Sequence, residues 1–328
     1  MPVIVGKTLQ LALFERISKQ LGGNNKKLSK EISDLFNITS NVVYDRINAK
    51  KLLNIEEIAM MAKHFNISMD ELISPVSTSF ELSAYEKQPD SFAEYLMTIL
   101  KDLRQLAMLP DCKITYVASE TPFFYYLYTP VIALFKMYVW GRTVWDLPEL
   151  ENQTFDIEQL NTPETEALIE ELLALYVKFP TTEVWNTNMI DTTLNQINHC
   201  LYCGFFKEPS DAIALVEALE KMVNKMEEIV KNGKKSKEGI SVIYNNELMQ
   251  NSTLILVGSP YLKALYLVFD SPNLMISHST SLFEHTYKYY EKIERFSLHL
   301  NEERQRLRFF KVLRAKLEAT KANFSKAF

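Results

Sequence analysis

Glycine and proline are scarce in this chain. The 328 residues include only 8 Gly and 12 Pro. This scarcity argues against a sheet-rich sandwich, a collagen-like repeat and a long flexible linker, which all depend on these residues. Hydrophobic residues make up 47% of the chain, and stretches rich in Leu, Glu, Lys and Ala recur along it. We therefore expect a mostly helical protein with a substantial core, long enough for two unequal domains.

Cysteine is scarce too, and no secretory signal opens the chain. The three cysteines are Cys112, Cys200 and Cys203. They are too few for a disulfide framework and fit a reducing compartment. The first seven residues, MPVIVGK, lack the basic region and the apolar region of a secretory signal. These features predict a cytoplasmic protein.

One stretch, residues 123–140, has the length of a membrane span. It contains Pro130 near its middle, Thr129, Lys136 and four tyrosines, all of which are unfavourable in a hydrocarbon core. The interior proline also interrupts a helix. We therefore predict a buried helix pair broken at Pro130, and no membrane partner.

Sequence motifs of common enzyme classes are missing. The chain contains no GxGxxG, GxxxxGK[ST], GxSxG or HExxH pattern, so nucleotide-binding, hydrolase and zinc-protease interpretations have no motif support. The best metal-like constellation is His199-Cys200-Leu-Tyr-Cys203, and a zinc site would need a second ligand pair at a suitable spacing. We therefore expect a non-enzyme with no cofactor and no metal, in which the cysteines pack in a core helix.

Charge is unevenly distributed along the chain. The net charge is −5, yet residues 1–75 hold ten Lys/Arg against eight Asp/Glu, and residues 1–54 hold nine against four. The rest of the chain is acidic, with 26 Lys/Arg against 33 Asp/Glu. A basic end attached to an acidic body is the asymmetry expected when one end contacts phosphates.

Residues 1–75, which we call the N-terminal module, carry a succession of short helical patterns. A helix over 8–21 ends at the GGNN of 22–25. Ser29 is the predicted N-cap of the next helix, and Asn37-Ile38 forms a tight turn, because Asn tolerates the left-handed conformation. Thr39 or Ser40 then caps a second short helix. Two short helices about a tight turn, preceded by a longer one, predict a helix-turn-helix.

The next segment extends this pattern. Residues 54–73 predict a helix from Ile55 to Phe65 and a second capped turn over Ser68–Ile73. The segments LSKEISDLFNI, Tyr44-Asp-Arg-Ile47, Lys50-Lys51 and AKHFNISMDELI together resemble the Cro/repressor (XRE-type) family of transcriptional regulators, and more closely its BetR-like N-terminal branch. The resemblance covers about 65 residues and implies an all-helical domain that binds double-stranded DNA.

The sequence departs from that family at two turns. Asn37 stands where the family has glycine in the tight turn. Ala49 replaces a glycine after the recognition helix, which predicts a more helical loop. The spacing from the turn to Ile47 is also one residue longer than usual, so whether Val43 or Tyr44 faces the core stays open.

The resemblance also implies which residues contact DNA. The second helix of the motif lies in the major groove, with its N-terminal residues at base edges. Near phosphates it places Ser29, Lys30, Thr39, Lys50 and Lys51. The remaining candidates are Ser40, Asn41 and Arg46 as base or backbone contacts, and Tyr44 as a contact or a core residue.

The remainder of the chain predicts a larger domain behind a polar linker at residues 76–90. We call residues 91–328 the body. It carries helical patterns at 91–109, 122–142, 163–178, 188–203, 210–232, 280–298 and 302–322, and strand patterns at 112–120, 240–245, 252–258, 262–269 and 273–278. This alternation predicts a helix-rich α+β domain with a small mixed or antiparallel sheet, mainly antiparallel.

No sequence motif indicates the function of the body. We expect it to form a homodimer, because one half-site seldom gives enough affinity for DNA, and to sense a small-molecule effector. The aromatic run Phe123–Tyr128 is interpreted either as a core helix or as the lining of a ligand pocket. The basic C-terminal stretch 301–328 is interpreted as a packed amphipathic helix, a dimerisation helix or a second nucleic-acid contact. The alternative function is an enzyme or a protein-interaction protein that the N-terminal module only targets or scaffolds.

Overall fold

The molecule has the α+β class predicted from the sequence, with many helices and one mixed sheet. The computed structural model describes residues 6–65, 67, 69, 72, 81–82, 88–248 and 253–327. The capped turn predicted over Ser68–Ile73 and most of the predicted linker lie outside the described residues. Among those that are described, no helix combines the length and the apolar character that crossing a bilayer requires.

Four helices make up the described part of the N-terminal module: α1 (Gly6–Gln20), α2 (Asn25–Phe36), α3 (Ser40–Ile47) and α4 (Ile55–His64). Helix α2 begins five residues earlier than predicted, because Asn24 rather than Ser29 is its N-cap. The Asn24 carboxamide oxygen accepts from the Lys26 and Lys27 amides, both at 3.1 Å. The module has a hydrophobic cluster of its own, formed by Leu13, Phe14, Ile17, Leu28, Ile32, Val43, Leu53, Met61 and Ile67.

The body contains the longer helices and most of the sheet. Its α-helices are α5 (Phe92–Ala107), α6 (Phe123–Tyr126), α7 (Pro130–Thr143), α8 (Ile157–Leu160), α9 (Pro163–Tyr176), α10 (Asp191–Tyr202), α11 (Ser210–Asn232), α12 (Thr280–Arg295) and α13 (Glu303–Ala327), with one 3-10 turn at Pro148–Leu150. The break between α6 and α7 falls at Pro130, as predicted. Pro130 is the first residue of α7, a position where its missing N–H is not needed.

The strands form one sheet that is larger than predicted. They are β1 (Glu81–Leu82), β2 (Lys113–Val117), β3 (Thr181–Trp185), β4 (Ser241–Asn245), β5 (Leu254–Gly258), β6 (Lys263–Asp270), β7 (Asn273–Ser277) and β8 (Leu298–His299). Their order is β1-β7-β6-β5-β2-β3-β4-β8. β2, β3 and β4 run parallel, and the other pairs of neighbours are antiparallel.

Three strands, β1, β3 and β8, were not predicted from the sequence. β3 joins the parallel part of the sheet between β2 and β4. Residues Glu81 and Leu82, inside the predicted linker, pair with Ile276 and Met275 at the edge of the sheet. β8, where the predicted helix 280–298 ends, pairs with β4 at the other edge of the sheet. The predictions of a small sheet and of a linker over 76–90 are therefore corrected at these three places.

The sheet separates two hydrophobic layers. One face packs against α5 to α11 and α13 in an extensive core that includes Tyr125, Phe135, Trp185 and Phe310. The opposite face packs against α12 through Val117, Val184, Leu256, Leu265, Phe283, Tyr290 and Ile293. Alternating side chains of the central strands therefore supply both layers.

Candidate nucleic-acid interface and a cavity in the body

A tight turn at residues 37–39 joins α2 to α3. Asn37 adopts the left-handed conformation with φ of 50°. The Ile38 amide donates to the Ser33 carbonyl at 3.1 Å, which satisfies one of the open carbonyls at the end of α2. Asn37 thus serves in the turn where glycine was the expected residue, because Asn tolerates this conformation.

Helix α3 has one buried side and one exposed side. Val43 is fully buried in the module's core, whereas Tyr44 is 44% exposed. The question that the sequence left open is therefore answered: Val43 faces the core. Ser40 and Asn41 are exposed as well, and they lie four and three residues before Tyr44. Residues at this spacing are neighbours on a helix, so the three side chains form one polar patch on the first two turns of α3.

Seven of the nine predicted DNA-contacting residues are exposed. They are Lys30, Thr39, Ser40, Asn41, Tyr44, Lys50 and Lys51, which we call the candidate interface. Thr39 is the N-cap residue of α3 in an extended conformation. The exposed charged side chains of residues 24–51 are five lysines, two aspartates and Glu31. Of these, Lys50 lies 3.8 Å from Asp45. The surface around α3 is thus basic and uncovered.

Ser29 and Arg46, the other two predicted contacts, are buried. Ser29 is 5% exposed and lies inside α2 instead of at its start. Arg46 is 6% exposed, its Nη2 lies 2.5 Å from Glu57 Oε1, and its guanidinium lies 5.3 Å from the centre of the Phe36 ring. These contacts fix Arg46 between α3 and α4, so neither side chain belongs to the surface that a duplex can reach.

A glutamine that the sequence analysis did not select holds the end of α3 in place. Gln10 of α1 is 1% exposed. Its Nε2 donates to the Arg46 carbonyl at 2.6 Å and the Lys51 carbonyl at 2.9 Å, while its Oε1 accepts from the Leu53 amide at 2.8 Å. The sequence signal that could have identified Gln10 is its position: a polar residue at helical spacing with the apolar residues Leu13, Phe14 and Ile17.

The loop after α3 turns sharply instead of continuing the helix. Ala49 has φ of 50° and is 6% exposed, so it occupies the left-handed conformation that glycine would take. The predicted more helical loop is therefore wrong. The hydrogen bonds from Gln10 to both sides of Ala49 stabilise this turn against its steric cost, which for a residue with a Cβ is about 1–2 kcal/mol.

The basic C-terminal helix is packed against the body. Arg314 pairs with Glu227, Lys316 with Asp191 at 2.7 Å, and Lys321 with Glu220 at 2.6 Å. Phe310, Leu313 and Leu317 are buried, whereas Leu307 is half exposed. The packed amphipathic helix is thus the interpretation that these contacts favour, since acidic partners already occupy three of its cations.

His199 and Cys203 lie close together at the C-terminal end of α10. A ring nitrogen of His199 lies 3.6 Å from Cys203 Sγ. Cys200 is buried, and burial raises the pKa of its thiol to about 12, which keeps it protonated at neutral pH. The described residues include no group of three or more His, Cys, Asp and Glu side chains placed to hold a metal ion.

A cavity of about 140 Å³ lies in the body between α5 and the sheet. Its floor comes from β2, β5, β6 and β7, and its walls come from α5, the residues around α6, and α7. The aromatic residues that line it are Tyr95, Tyr116, Phe123, Phe124, Tyr126, Trp140 and Tyr266. Phe123, Phe124 and Tyr126 come from the aromatic run of the sequence, whereas Tyr125 of the same run is fully buried in the core. The run is therefore both pocket lining and core.

A buried ion pair adjoins the cavity. Glu120 lines it, and its Oε1 accepts from Ser271 Oγ at 2.8 Å. Its Oε2 lies 3.7 Å from Nζ of Lys136, which is 1% exposed. Burial lowers the pKa of Lys136, and the Glu120 carboxylate opposes that shift. The Lys136 ammonium also donates to Gln196 Oε1 at 2.7 Å, so the cation has a partner on each side.

The comparisons with known proteins give no relative. No protein-family model matches the chain, and no curated protein and no solved structure matches it.

Proposed function

We propose that the chain is a sequence-specific DNA-binding transcriptional regulator. In this proposal the N-terminal module is a helix-turn-helix domain of the XRE type with a BetR-like order of helices. Helix α3 enters the major groove, and the body assembles a homodimer and senses a small-molecule effector. A two-fold dimer would read two half-sites one helical turn apart.

The observation that carries the proposal is the exposure of three side chains on the first two turns of α3. Ser40, Asn41 and Tyr44 are exposed there. In helix-turn-helix proteins the N-terminal residues of the second helix are the ones that meet base edges. An Asn carboxamide pairs with adenine through two hydrogen bonds. Exposed Lys30, Lys50 and Lys51 supply the cations that attract phosphates.

The cavity in the body supports the sensing half of the proposal. Ligand sites are concave and mainly apolar, with few polar groups. The cavity has this composition, since aromatic and aliphatic side chains surround Glu120, Thr121 and Asp102.

The test measures binding of the full chain to labelled fragments of its own genome over a salt series. We expect affinity to fall steeply with salt concentration, and Lys50→Ala with Lys51→Ala to reduce the slope of log K against log salt by about 2. Asn41→Ala should weaken binding to the preferred fragment by about tenfold, since a two-bond base contact contributes about 1–3 kcal/mol.

The matched control is Asn152→Ala, because Asn152 is an exposed asparagine of the body. It should bind as the unchanged chain does. Absence of salt-dependent binding by the unchanged chain would overturn the proposal, as would equal affinities for the Asn41→Ala and Asn152→Ala chains. Arg46→Ala is unsuitable as a test, because removing Arg46 leaves Glu57 without its buried partner and lowers stability instead.

A further inference from the structure

The size of the cavity limits what it can hold. Its volume is about 140 Å³. An apolar cavity of about 150 Å³ in a protein core accommodates benzene. The portion of an occupant that lies inside the cavity is therefore an apolar group of about that size.

One wall of the cavity consists of three aromatic rings in mutual contact. The ring centre of Tyr95 lies 5.9 Å from that of Phe123 and 6.2 Å from that of Trp140, and Phe123 and Trp140 are 6.1 Å apart. Burial raises the pKa of the Tyr95 hydroxyl, and the Glu120 carboxylate adds to the shift, so the phenol stays neutral at pH 7. Neutral ring faces carry partial negative charge and attract cations.

A cation already contacts two rings of this group. The ammonium of Lys136 lies 5.2 Å from the ring centres of Tyr126 and Trp140. Lys136 approaches from α7 and is not among the lining residues. The same rings line the cavity, so their environment accepts positive charge.

The charged side chains that line the cavity are both acidic. Oε2 of Glu120 is buried and accepts no hydrogen bond from any residue that the structure describes. Asp102 adds a second carboxylate, and it is exposed although it lines the cavity, which places it at the mouth. Lys136 lies beside Glu120 and Lys101 acts on Asp102, but neither lysine lines the cavity, and its described lining includes no Lys, Arg or His. An anionic ligand would therefore meet two carboxylates and no lining cation, whereas a cationic one would donate to Glu120.

We propose that this cavity binds a small organic cation, namely an amine attached to an aromatic or branched apolar group about the size of benzene. The ammonium lies against Glu120 and the rings of Tyr95 and Trp140, and the apolar portion lies against the sheet. As the identity of an effector, this inference rests on the proposed function. The binding itself is measured without DNA.

The experiment titrates the full chain with 2-phenylethylamine by calorimetry at pH 7. The matched probes are 2-phenylethanol, which is neutral, and phenylacetate, which is anionic. We expect the amine to bind at least about tenfold more tightly than the alcohol, since a tenfold difference corresponds to one modest charge-assisted hydrogen bond. Phenylacetate should bind more weakly than either, because its carboxylate would meet Glu120 and Asp102.

Three variants locate the bound amine. Glu120→Gln should weaken binding by about tenfold or more, and Asp102→Asn, whose exposed site tolerates the change, should weaken it several-fold. Ile255→Phe should weaken all three probes alike, because it fills the cavity from β5. Glu170→Gln is the control, since Glu170 is exposed on α9 and does not line the cavity. Its affinity should match that of the unchanged chain.

Two results would overturn the inference. The first is no heat of binding with the amine up to about 10 mM, a concentration at which even weak ligands are detected. The second is amine affinity that is unchanged in folded Asp102→Asn and Ile255→Phe chains. A chain that binds DNA but no amine overturns this inference alone, whereas one that binds the amine but no DNA overturns only the proposed regulator.

Discussion

At the scale of single residues, Gln10 has the most specific task in the N-terminal module. Its carboxamide joins α1 to three main-chain groups at the end of α3 and beyond, at Arg46, Lys51 and Leu53. These groups have little access to water, so their hydrogen bonds depend on this one side chain. Gln10 thereby fixes the position of α3 without belonging to the candidate interface.

We expect Gln10→Ala to lower the free energy of unfolding of the N-terminal module by about 2–4 kcal/mol, because two buried main-chain groups and one partly buried group lose their partner at once. Urea unfolding measures the change, and hydrogen exchange of the Leu53 amide should become faster. Gln20→Ala, at the last turn of the same helix, is the control and should cost at most about 0.5 kcal/mol. A Gln10→Ala chain as stable as this control would show that the three hydrogen bonds contribute nothing.

Residue type alone did not reveal which polar side chains face inward. The family resemblance implied surface positions for Ser29 and Arg46 as DNA contacts. Ser29 lies inside α2 because Asn24 caps the helix earlier, through local hydrogen bonds to Lys26 and Lys27. Arg46 is held by Glu57 of α4, a contact between two elements that its own segment does not indicate. Asn41 and Lys51, which need no such partner, are exposed as predicted.

At the scale of elements, β3 is a strand that the sequence did not indicate. Its middle residue is Glu183, which is fully buried, and a carboxylate at the centre of a strand argues against a core position. The structure surrounds this carboxylate with donors. Oε1 accepts from the hydroxyls of Tyr125 at 3.1 Å, Tyr176 at 3.3 Å and Thr181 at 3.0 Å. Oε2 accepts from the indole of Trp185 at 2.9 Å.

We expect Glu183→Ala to lower the free energy of unfolding of the body by about 3–5 kcal/mol, because four buried donors lose their acceptor together. Glu183→Gln should cost less, since its amide retains one acceptor oxygen. Urea unfolding followed by tryptophan fluorescence measures both, with Glu170→Ala on exposed α9 as the control. If Glu183→Ala were as stable as the control, the four hydrogen bonds would not explain the strand.

Elements with strong local signals were predictable, and those with distant partners were not. Helix α11 spans Ser210–Asn232 as predicted, because its apolar spacing is regular and Gly233, with φ of 66°, ends it. The break at Pro130 was equally local. Strand β1, in contrast, exists only by pairing with β7 almost 200 residues later, and no pattern within Glu81–Leu82 indicates it.

At the scale of the whole molecule, β7 lies between the cavity and the N-terminal module. Leu274 of β7 lines the cavity. Four residues later, the carbonyl of His278 accepts from Arg16 Nη2 of α1 at 3.4 Å. A ligand that displaced Leu274 would therefore act on the strand whose end contacts the module. A five-residue strand is stiff enough to carry such a shift, although coupling requires two states of different affinity.

Under the proposed function, this contact predicts how DNA binding and the cavity influence each other. We expect 2-phenylethylamine to change the affinity of the full chain for its DNA fragment by about fivefold or more, the range of ordinary coupling energies. Arg16→Ala should reduce that change to less than about twofold while the affinity for the amine stays the same, since Arg16 does not line the cavity. The measurement is DNA binding by anisotropy with and without saturating amine.

The control is Lys19→Ala, which removes the same charge from the next turn of α1, where Lys19 pairs with Glu15, and should keep the full effect. If Arg16→Ala kept it as well, the signal would have to leave the cavity by a route other than the end of β7.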